Sequence, residues 1–478
     1  MSAVDALELR RLIRAALPTD PVQYDTPEKS LVYVPRRHAE VLEVNRMLVV
    51  GERGTGKSFW ARSFVDPAIL ALAREVTHSA GLPEGMLVKR GWDSQLDAGD
   101  GPPDRQEIEG LLNGGASAYQ IWTAIYLSAM DVGEIRSRST WRERVALLRD
   151  DVTAWGRLWR AASERQEARA KHALVIFDEL DRVSFEPRKR LELLRGLLQL
   201  LLDLRNTRFL RAKVFVRPDM IEAREIRAFP DASKVVSGGA ELRWDAIDLY
   251  ALLWHRLANH EEAGSRLRAF ASAVVSAEFE SRGGVFHLPE ALRSEPETQR
   301  RLLHALTGPA MGPNRKRGIP YVWLPNHLED ASGTLTVRSF LIALAEAAQD
   351  DGHLDHEFPL HWDALKEGVR RASERRRSEL EEDLPWADAA MSALEGLGIP
   401  CEYEKIRDRW SERGTLAAVH ASERPPALRS DDELGSLRDA LKAAGVFDER
   451  TDRRWNVPDV YRVAYRLPLR GGVSPRRS

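Results

Sequence analysis

Apolar residues recur along the chain in two rhythms. Short unbroken runs bounded by turn-forming residues predict buried strands: Arg46–Val50 ahead of a glycine-rich turn, Met86–Val88, Ala173–Phe177 and Arg211–Val216. Runs spaced by three and four predict helices over Lys57–Ala73, kinked or broken at Pro67, then around Tyr119–Met130 and Trp141–Lys171, and over the leucine-rich Arg188–Leu204. From Asp245 onward the pattern is mostly helical, over Asp245–Asn259, Ser265–Arg282, Pro289–Leu306 and Val337–Gln349. Glu367–Asp383 is so dense in charge that it is expected as a solvated connecting helix.

Strands alternating with helices predict an α/β domain with a parallel sheet. The layout is a leader over 1–30, an α/β core over 31–240, a helical region over 241–365, a connector over 366–384 and a small unit over 385–478. That small unit carries helices beginning at Trp386, Tyr403 and Asp431, followed by turn-rich polar sequence and a strand-like Val460–Tyr465. Three short helices with a hairpin give a winged-helix-like shape. About 120 residues separate the two motifs described below, far more than one βα unit needs, so residues 74–171 are expected as a helical insertion in the core.

Composition narrows this picture. Apolar residues make up 43% of the 478-residue chain and charged residues 30%, which suits a globular protein with a sizeable core. Lys plus Arg number 71 against 73 Asp plus Glu, so a uniformly basic, nucleic-acid-coating surface is excluded. Cys401 is the one cysteine, so an intramolecular disulfide and a cysteine metal site are excluded. The densest apolar run, Leu193–Leu204, is broken by Arg195, Gly196, Gln199 and Asp203 and is too short to span a bilayer. The N-terminus has no apolar core of signal-peptide type, and a cytoplasmic location without membrane contact is expected. His172, His255 and His260 have no metal-ligand companions at useful spacing.

The chemistry concentrates at two strand ends. Gly51-Glu52-Arg53-Gly54-Thr55-Gly56-Lys57-Ser58 fits the phosphate-loop pattern G-x-x-x-x-G-K-[ST] in full, between a strand and a helix. Wrapping phosphate oxygens in backbone N–H groups needs conformations that glycine permits, and the following helix turns its positive end to the phosphates. Lys57 would supply charge to the β- and γ-phosphates and Ser58 a hydroxyl to Mg²⁺, with Phe59 next along the helix completing the nucleotide-binding stretch. The second motif, Leu174-Val175-Ile176-Phe177-Asp178-Glu179, is an apolar strand ending in two carboxylates, where ligands bind in open α/β sheets. Asp178 is expected to hold Mg²⁺ and Glu179 to act as general base on the attacking water. At the end of a third strand, Arg217 either reaches the γ-phosphate or pairs with Asp219. ATP with Mg²⁺ is the expected ligand.

Together these residues resemble the AAA+ and STAND branches of P-loop ATPases, above all Orc-like members and ATPases of bacterial defence systems. The Tyr33-Val34-Pro35-Arg36-Arg37 segment is similar to the one that packs on adenine in Orc-like ATPases. Leu242-Arg243-Trp244-Asp245 resembles a strand-to-lid junction, and Thr336–Leu341 a lid helix whose Arg338 would be a nucleotide-sensing arginine. The resemblance implies a P-loop NTPase sheet, a helical lid over 241–365 and the C-terminal winged-helix-like domain. It implies an ATP-hydrolysing regulatory switch acting on a partner protein or effector subunit, in the setting of bacterial antiphage defence. The alternative it implies is a DNA-binding loader or remodeller. Ring-forming relatives imply a homo-oligomer with an arginine from a neighbouring subunit, for which Arg182, Arg205 and Arg208 are candidates. Two features depart from that pattern: the long Ala73–Lys171 region, and Arg217 where a polar Asn or Thr is usual.

Arginines 453, 454, 462, 466, 470, 476 and 477 crowd the C-terminal stretch, interleaved with Trp455, Tyr461 and Tyr465. A basic, aromatic hairpin could lie on DNA phosphates, or the unit could dock protein.

Overall fold

The computed structural model of the protein describes residues 3–20, 27–77, 81–94, 101–229, 231–423 and 425–469. Two compact units are present. One is built from Val34–Leu242, with residues 27–29; the other from the N-terminal helix, Ser30–Tyr33 and the chain from Arg243 onward. The arginines expected in the tail at 470, 476 and 477 lie outside the described residues.

The first unit is built on five parallel strands: β1 (Leu48–Val50), β2 (Leu87–Trp92), β3 (Ala173–Phe177), β4 (Leu210–Val216) and β5 (Ala240–Glu241), in the order β2-β3-β4-β1-β5. β4 pairs with β3 from Ala173↔Leu210 to Phe177↔Val214 and with β1 from Leu48↔Val214 to Val50↔Val216. Both faces are covered, which is why β3 and β4 are near-continuous apolar runs. On one face lie the helices Ala118–Ala129 and Pro187–Arg205. Trp122 meets Phe177 edge-on and its indole N–H donates to the Leu193 carbonyl at 2.7 Å. Gly196 lets these helices touch, since a Cβ there would lie 2.6 Å from the Tyr119 nitrogen. On the other face sits the helix Lys57–Val65, with Phe64 against Phe215.

That second face also buries a charge. Lys213 is fully buried, and its ammonium donates to the carbonyls of Val41 and Glu43. Burial pushes its pKa down to about 7.

Several elements differ from expectation. The stretch over 74–171 is helical, as expected, apart from β2, and it is integral to the sheet's core. Its helix Ala118–Ala129 covers the sheet, and Ile108, Leu111, Val145, Leu148, Leu158 and Trp159 share the same core. The helix at Pro67 is interrupted as expected, into Lys57–Val65 and Pro67–Thr77. The expected Ser265–Arg282 helix ends at Val275, where Ser276 turns left-handed. A hairpin of Glu280–Arg282 with Val285–His287 follows around Gly283 and Gly284. Pro296 divides Pro289–Leu306 into Glu290–Ser294 and Pro296–Thr307.

In the second unit, the charge-dense helix is Trp362–Asp383, and it is not solvated all round. Leu365, Gly368, Val369, Ala372, Arg376 and Leu380 form a buried stripe at helical spacing, hidden in the sequence by the charges between them. Small residues on this stripe bring it close to the helix Val337–Ala348. The N-terminal helix Ala3–Ala16 is likewise more than a leader, because Leu9, Ile13 and Ala16 enter the same core.

Beyond it stand the helices Pro385–Ser392, Tyr403–Glu412, Thr415–Ala421 and Glu433–Ala443, and a hairpin of Asp448–Glu449 with Trp455–Asn456, which Cys401 flanks through a bridge to Trp455. The strand expected over Val460–Tyr465 is instead the short helix Asp459–Arg462 with a following turn. Pro458 precedes it and the Arg462 guanidinium bonds Asp459 one turn back at 2.5 Å, so local contacts override the β-branched and aromatic composition.

The helix crossing yields a test with a sign. In an exposed helix, Gly→Ala stabilises by about 1 kcal/mol. A Cβ at Gly368 would lie 2.0 Å from the Ala343 carbonyl oxygen. Gly368→Ala is therefore expected to destabilise the protein by about 1–3 kcal/mol, measured as a lower urea midpoint. A higher midpoint would show that the two helices do not cross this closely.

Candidate nucleotide site

The loop leaving β1 is anchored on both sides. Gly51 N–H donates to Val216 of β4 at 3.1 Å, and Leu242 N–H donates to Val50 at 2.7 Å. A side chain at Gly51 would lie 2.8 Å from Thr55 Oγ1 and 3.0 Å from Leu242 Cβ. Gly54 and Gly56 take φ of 79° and 101°, where only glycine is at ease. Thr55 Oγ1 donates to the Glu52 carbonyl at 2.7 Å, rounding the loop over Arg53. Lys57 Nζ reaches back to the carbonyls of Gly51 at 2.8 Å and Glu52 at 2.9 Å, so its charge crosses the loop. Burial lowers the Lys57 pKa, opposed by Asp178 and reinforced by Arg217. Phe59 is half-buried and edge-on to Trp60, whose indole N–H donates to His38 Nδ1 at 3.1 Å. That bond docks the turn Arg36–His38, part of the expected adenine-side segment, onto the phosphate-loop helix.

At the end of β3, Asp178 is buried and its N–H donates to the Trp92 carbonyl at 2.9 Å. Burial raises its pKa to about 6 against the opposing hydrogen bond from the Ser58 hydroxyl. A hydroxyl and a carboxylate side by side in a desolvated pocket, with the carboxylate's charge poorly compensated, are hard-oxygen donors that fit Mg²⁺. Glu179 is left-handed, with φ of 54°, an uncommon conformation for a residue with a side chain. Its carboxylate accepts from the Ser94 N–H at 3.1 Å and from the Ser94 hydroxyl. Arg62 and Arg182 each stand 3.9 Å from it. Beside it opens a cleft of about 420 Å³ lined by Arg62, Arg90, Trp92, Asp93, Asp178 and Glu179.

Ser94 and Arg62 are absent from the sequence expectations. Ser94 lies two residues past the end of β2, where strand neighbourhood alone brings it to β3. Arg62 could have been found from Ser58, since residues four apart share a helix face.

Arg217 takes the second of its two expected positions. Its guanidinium binds Asp219 through two bonds of 3.0 Å and stands 3.8 Å from Asp181. Arg338 belongs to the other unit and donates to buried Glu379 at 2.8 Å. Arg182 faces its own chain's Glu179 and Ser94. Arg205 donates to the Lys234 carbonyl and Arg208 lies over Phe209. Both precede β4, at the end of the strands away from the phosphate loop.

No family model matches the chain, and no curated protein is significantly similar to it. Solved structures similar to it include the Aeropyrum pernix ORC1 protein in complex with DNA, at 17% identity over 92% of this chain and 94% of that one, with a TM-score of 0.36. The Aeropyrum pernix ORC2 protein, solved in ADPNP–ADP complexes, is 14% identical over 91% and 94%, with a TM-score of 0.32. Cdc6p from Pyrobaculum aerophilum is 13% identical over 92% and 94%, with a TM-score of 0.31. Among the described residues no helix is long and apolar enough to cross a membrane.

The raised pKa of Asp178 gives a pH dependence. Above about 6 its carboxylate is ionised and available to a cation; below that a proton competes for the same oxygens. Mg²⁺-dependent nucleotide affinity is expected to weaken about tenfold per pH unit below 6. Titration calorimetry with and without Mg²⁺ reads this directly. Asp178→Asn should reduce the pH slope to that of the nucleotide's own terminal phosphate, whose pKa is about 6, and a slope equal to the wild type's would assign the titration elsewhere.

Proposed function

We propose that the chain binds ATP with Mg²⁺ at Gly51–Ser58 and hydrolyses it, and that hydrolysis switches its engagement with a partner protein. The observation that carries this reading is the convergence of Lys57, Ser58 and Asp178 at one end of the sheet, with Glu179 alongside and restrained by Ser94. Backbone amides of the loop bind the phosphates, and Lys57 turns its ammonium from the loop carbonyls to the phosphate oxygens. Ser58 and Asp178 hold the cation. Mg²⁺ held there would supply positive charge to neutralise the terminal phosphates. Glu179, once released from the Ser94 hydroxyl, takes the proton of the attacking water at a carboxylate oxygen. Arg217 leaves the end of β4 on the phosphate-loop side of the sheet, and its proposed role is to exchange Asp219 for a phosphate oxygen. Arg338, bound to Glu379, is assigned to holding helices together.

The C-terminal unit, read as winged-helix-like, supports a protein partner over DNA. Trp455, Tyr461 and Tyr465 are core residues with no face to offer a base. Arg462 is wholly buried against Asp459 and the Leu467 carbonyl, and Arg466 pairs with Glu395. The bacterial-defence setting rests on the sequence resemblance to STAND-type ATPases. One observation favours the loader reading: Arg450 and Arg453 are exposed at the hairpin turn.

The test is the ATPase rate with and without duplex DNA. A slow rate indifferent to DNA is expected. Glu179→Gln should lower it by about 10²–10⁴-fold with ATP still bound, and Lys57→Ala should lose binding. Ser94→Ala is expected to raise the basal rate severalfold by freeing the base. Strong DNA stimulation with a steep salt dependence would favour the loader reading. Absence of hydrolysis in the wild type would remove the role given to Glu179.

A further inference from the structure

A second group of chemically competent side chains lies in the other unit, just before the helix Trp362–Asp383. The sequence from Asp350 to Asp363 holds His353, His356 and His361. His353 and His361 stack at 3.8 Å between ring centroids with 12° between planes, and His356 stands edge-on to His361 at 4.6 Å. Ligand atoms of His353, His361 and Asp363 lie within 4.8 Å of one another.

We propose that His353, His361 and Asp363 form a binding site for a divalent transition-metal ion of the Zn²⁺ class.

Four features support this. First, the donor set of two imidazoles and one carboxylate matches the ligand types such an ion takes. Second, His353 is oriented as a metal-binding histidine is: Nδ1 stands 2.8 Å from Asp350 Oδ2, so its N–H donates there and Nε2 keeps a lone pair. Third, one oxygen of Asp363 is held by Lys366 at 2.9 Å, while the other faces His361 Nδ1 at 3.9 Å. Fourth, the backbone that carries the group is braced. Buried Arg10 of the N-terminal helix donates to the carbonyls of Pro359 at 2.7 Å, Asp350 at 2.9 Å and His353 at 2.7 Å. A rigid frame is what a structural metal site needs.

Ligand atoms around tetrahedral Zn²⁺ stand ~3.4 Å apart, from bonds of ~2.05 Å. An ion bound by both imidazoles lies in both ring planes, so the stack of His353 on His361 must open as the ion enters; His353 is half-exposed and Asp363 exposed, which leaves both side chains room to turn. Coordination through His361 Nδ1 replaces its 3.2 Å contact with the Asp363 amide. His356 or water takes the fourth position. The ion would clip the loop over 350–361 to the first turn of the helix Trp362–Asp383.

The experiment uses the full chain, stripped with a chelator and titrated with Zn²⁺ against a chromogenic indicator, without nucleotide. Co²⁺ substitution reports coordination. Uptake of one ion per chain is expected, with the intense visible absorption of four-coordinate Co²⁺ and a raised melting temperature on Zn²⁺ addition. His353→Ala and Asp363→Ala change residues with exposed surface and should keep the fold while weakening uptake by about tenfold or more. Asp350→Ala should weaken it by about 10–100-fold through loss of orientation alone. Lys57→Ala should leave uptake intact. A Co²⁺ spectrum like that of the aqueous ion, or equal uptake by the His353→Ala/His361→Ala double variant, would overturn the proposal.

Discussion

The pairing of β4 between β1 and β3 is the constraint on which the rest of the nucleotide site depends. The phosphate loop and the Asp178–Glu179 pair are 120 residues apart in the chain, and no local interaction could bring them together. β4 aligns both: Val214 is paired with Leu48 on one side and with Phe177 on the other. With all strands parallel, both strand ends, and Arg217 beyond Val216, open at the same edge. Parallel strands need long crossovers and burial on both faces. The helices Ala118–Ala129 and Pro187–Arg205 provide one cover, and the phosphate-loop helix provides the other. The same helix therefore presents Lys57 and Ser58 to the site and Phe64 to the sheet.

Legibility in the sequence followed how local each signal was. The loop Gly51–Ser58 could be read because its glycines, lysine and serine are dictated by a few neighbouring dihedrals and one ligand chemistry. β3 and β4 could be read because strands buried on both faces leave unbroken apolar runs. Ser94 could not. It matters only because β2 lies beside β3, a fact of tertiary pairing with no periodicity to announce it. The helix Trp362–Asp383 reads as solvated because only Leu365, Val369 and Leu380 of its buried stripe are large apolar residues, with Gly368, Ala372 and the stem of Arg376 between them and charges on every side. Val460–Tyr465 misled for the opposite reason: its apolar and aromatic composition suits a strand, while Pro458 and the Asp459–Arg462 pair set a helix. The histidines near residue 353 carry no sequence signal, because their spacing follows no familiar ligand pattern and becomes a cluster only when the loop folds back on itself.

Arginine shows the limit of reading charge from composition. The chain is rich in arginine, but many of these side chains serve internal architecture. Arg10 bonds three carbonyls of one loop, Arg462 fills the core of the C-terminal unit, and Arg338 and Arg376 converge on Glu379. A planar guanidinium with several donors suits this work, because it can satisfy otherwise orphaned carbonyl groups while its stem packs as an apolar group. A cluster of arginines in the sequence is thus weak support for a nucleic-acid surface until each one's partner is known.

The energetics of Glu179 tie folding to the proposed switch. A left-handed backbone at a residue with a side chain costs about 1–3 kcal/mol. This cost is met locally: the carboxylate gains the Ser94 amide and hydroxyl, with Arg62 and Arg182 at 3.9 Å, in a pocket already burdened by the buried Asp178. The bonds that make the strained backbone tolerable are therefore the ones that engage the lone pairs a general base must use. Releasing Glu179 for chemistry leaves the strain without its compensation unless another interaction replaces Ser94. In the proposed switch a cation held by Ser58 and Asp178 would supply one, because it would add positive charge beside the two carboxylates. Under the proposed switch, a resting site of this design is expected to be stable and slow, with its rate set by what competes for a single serine.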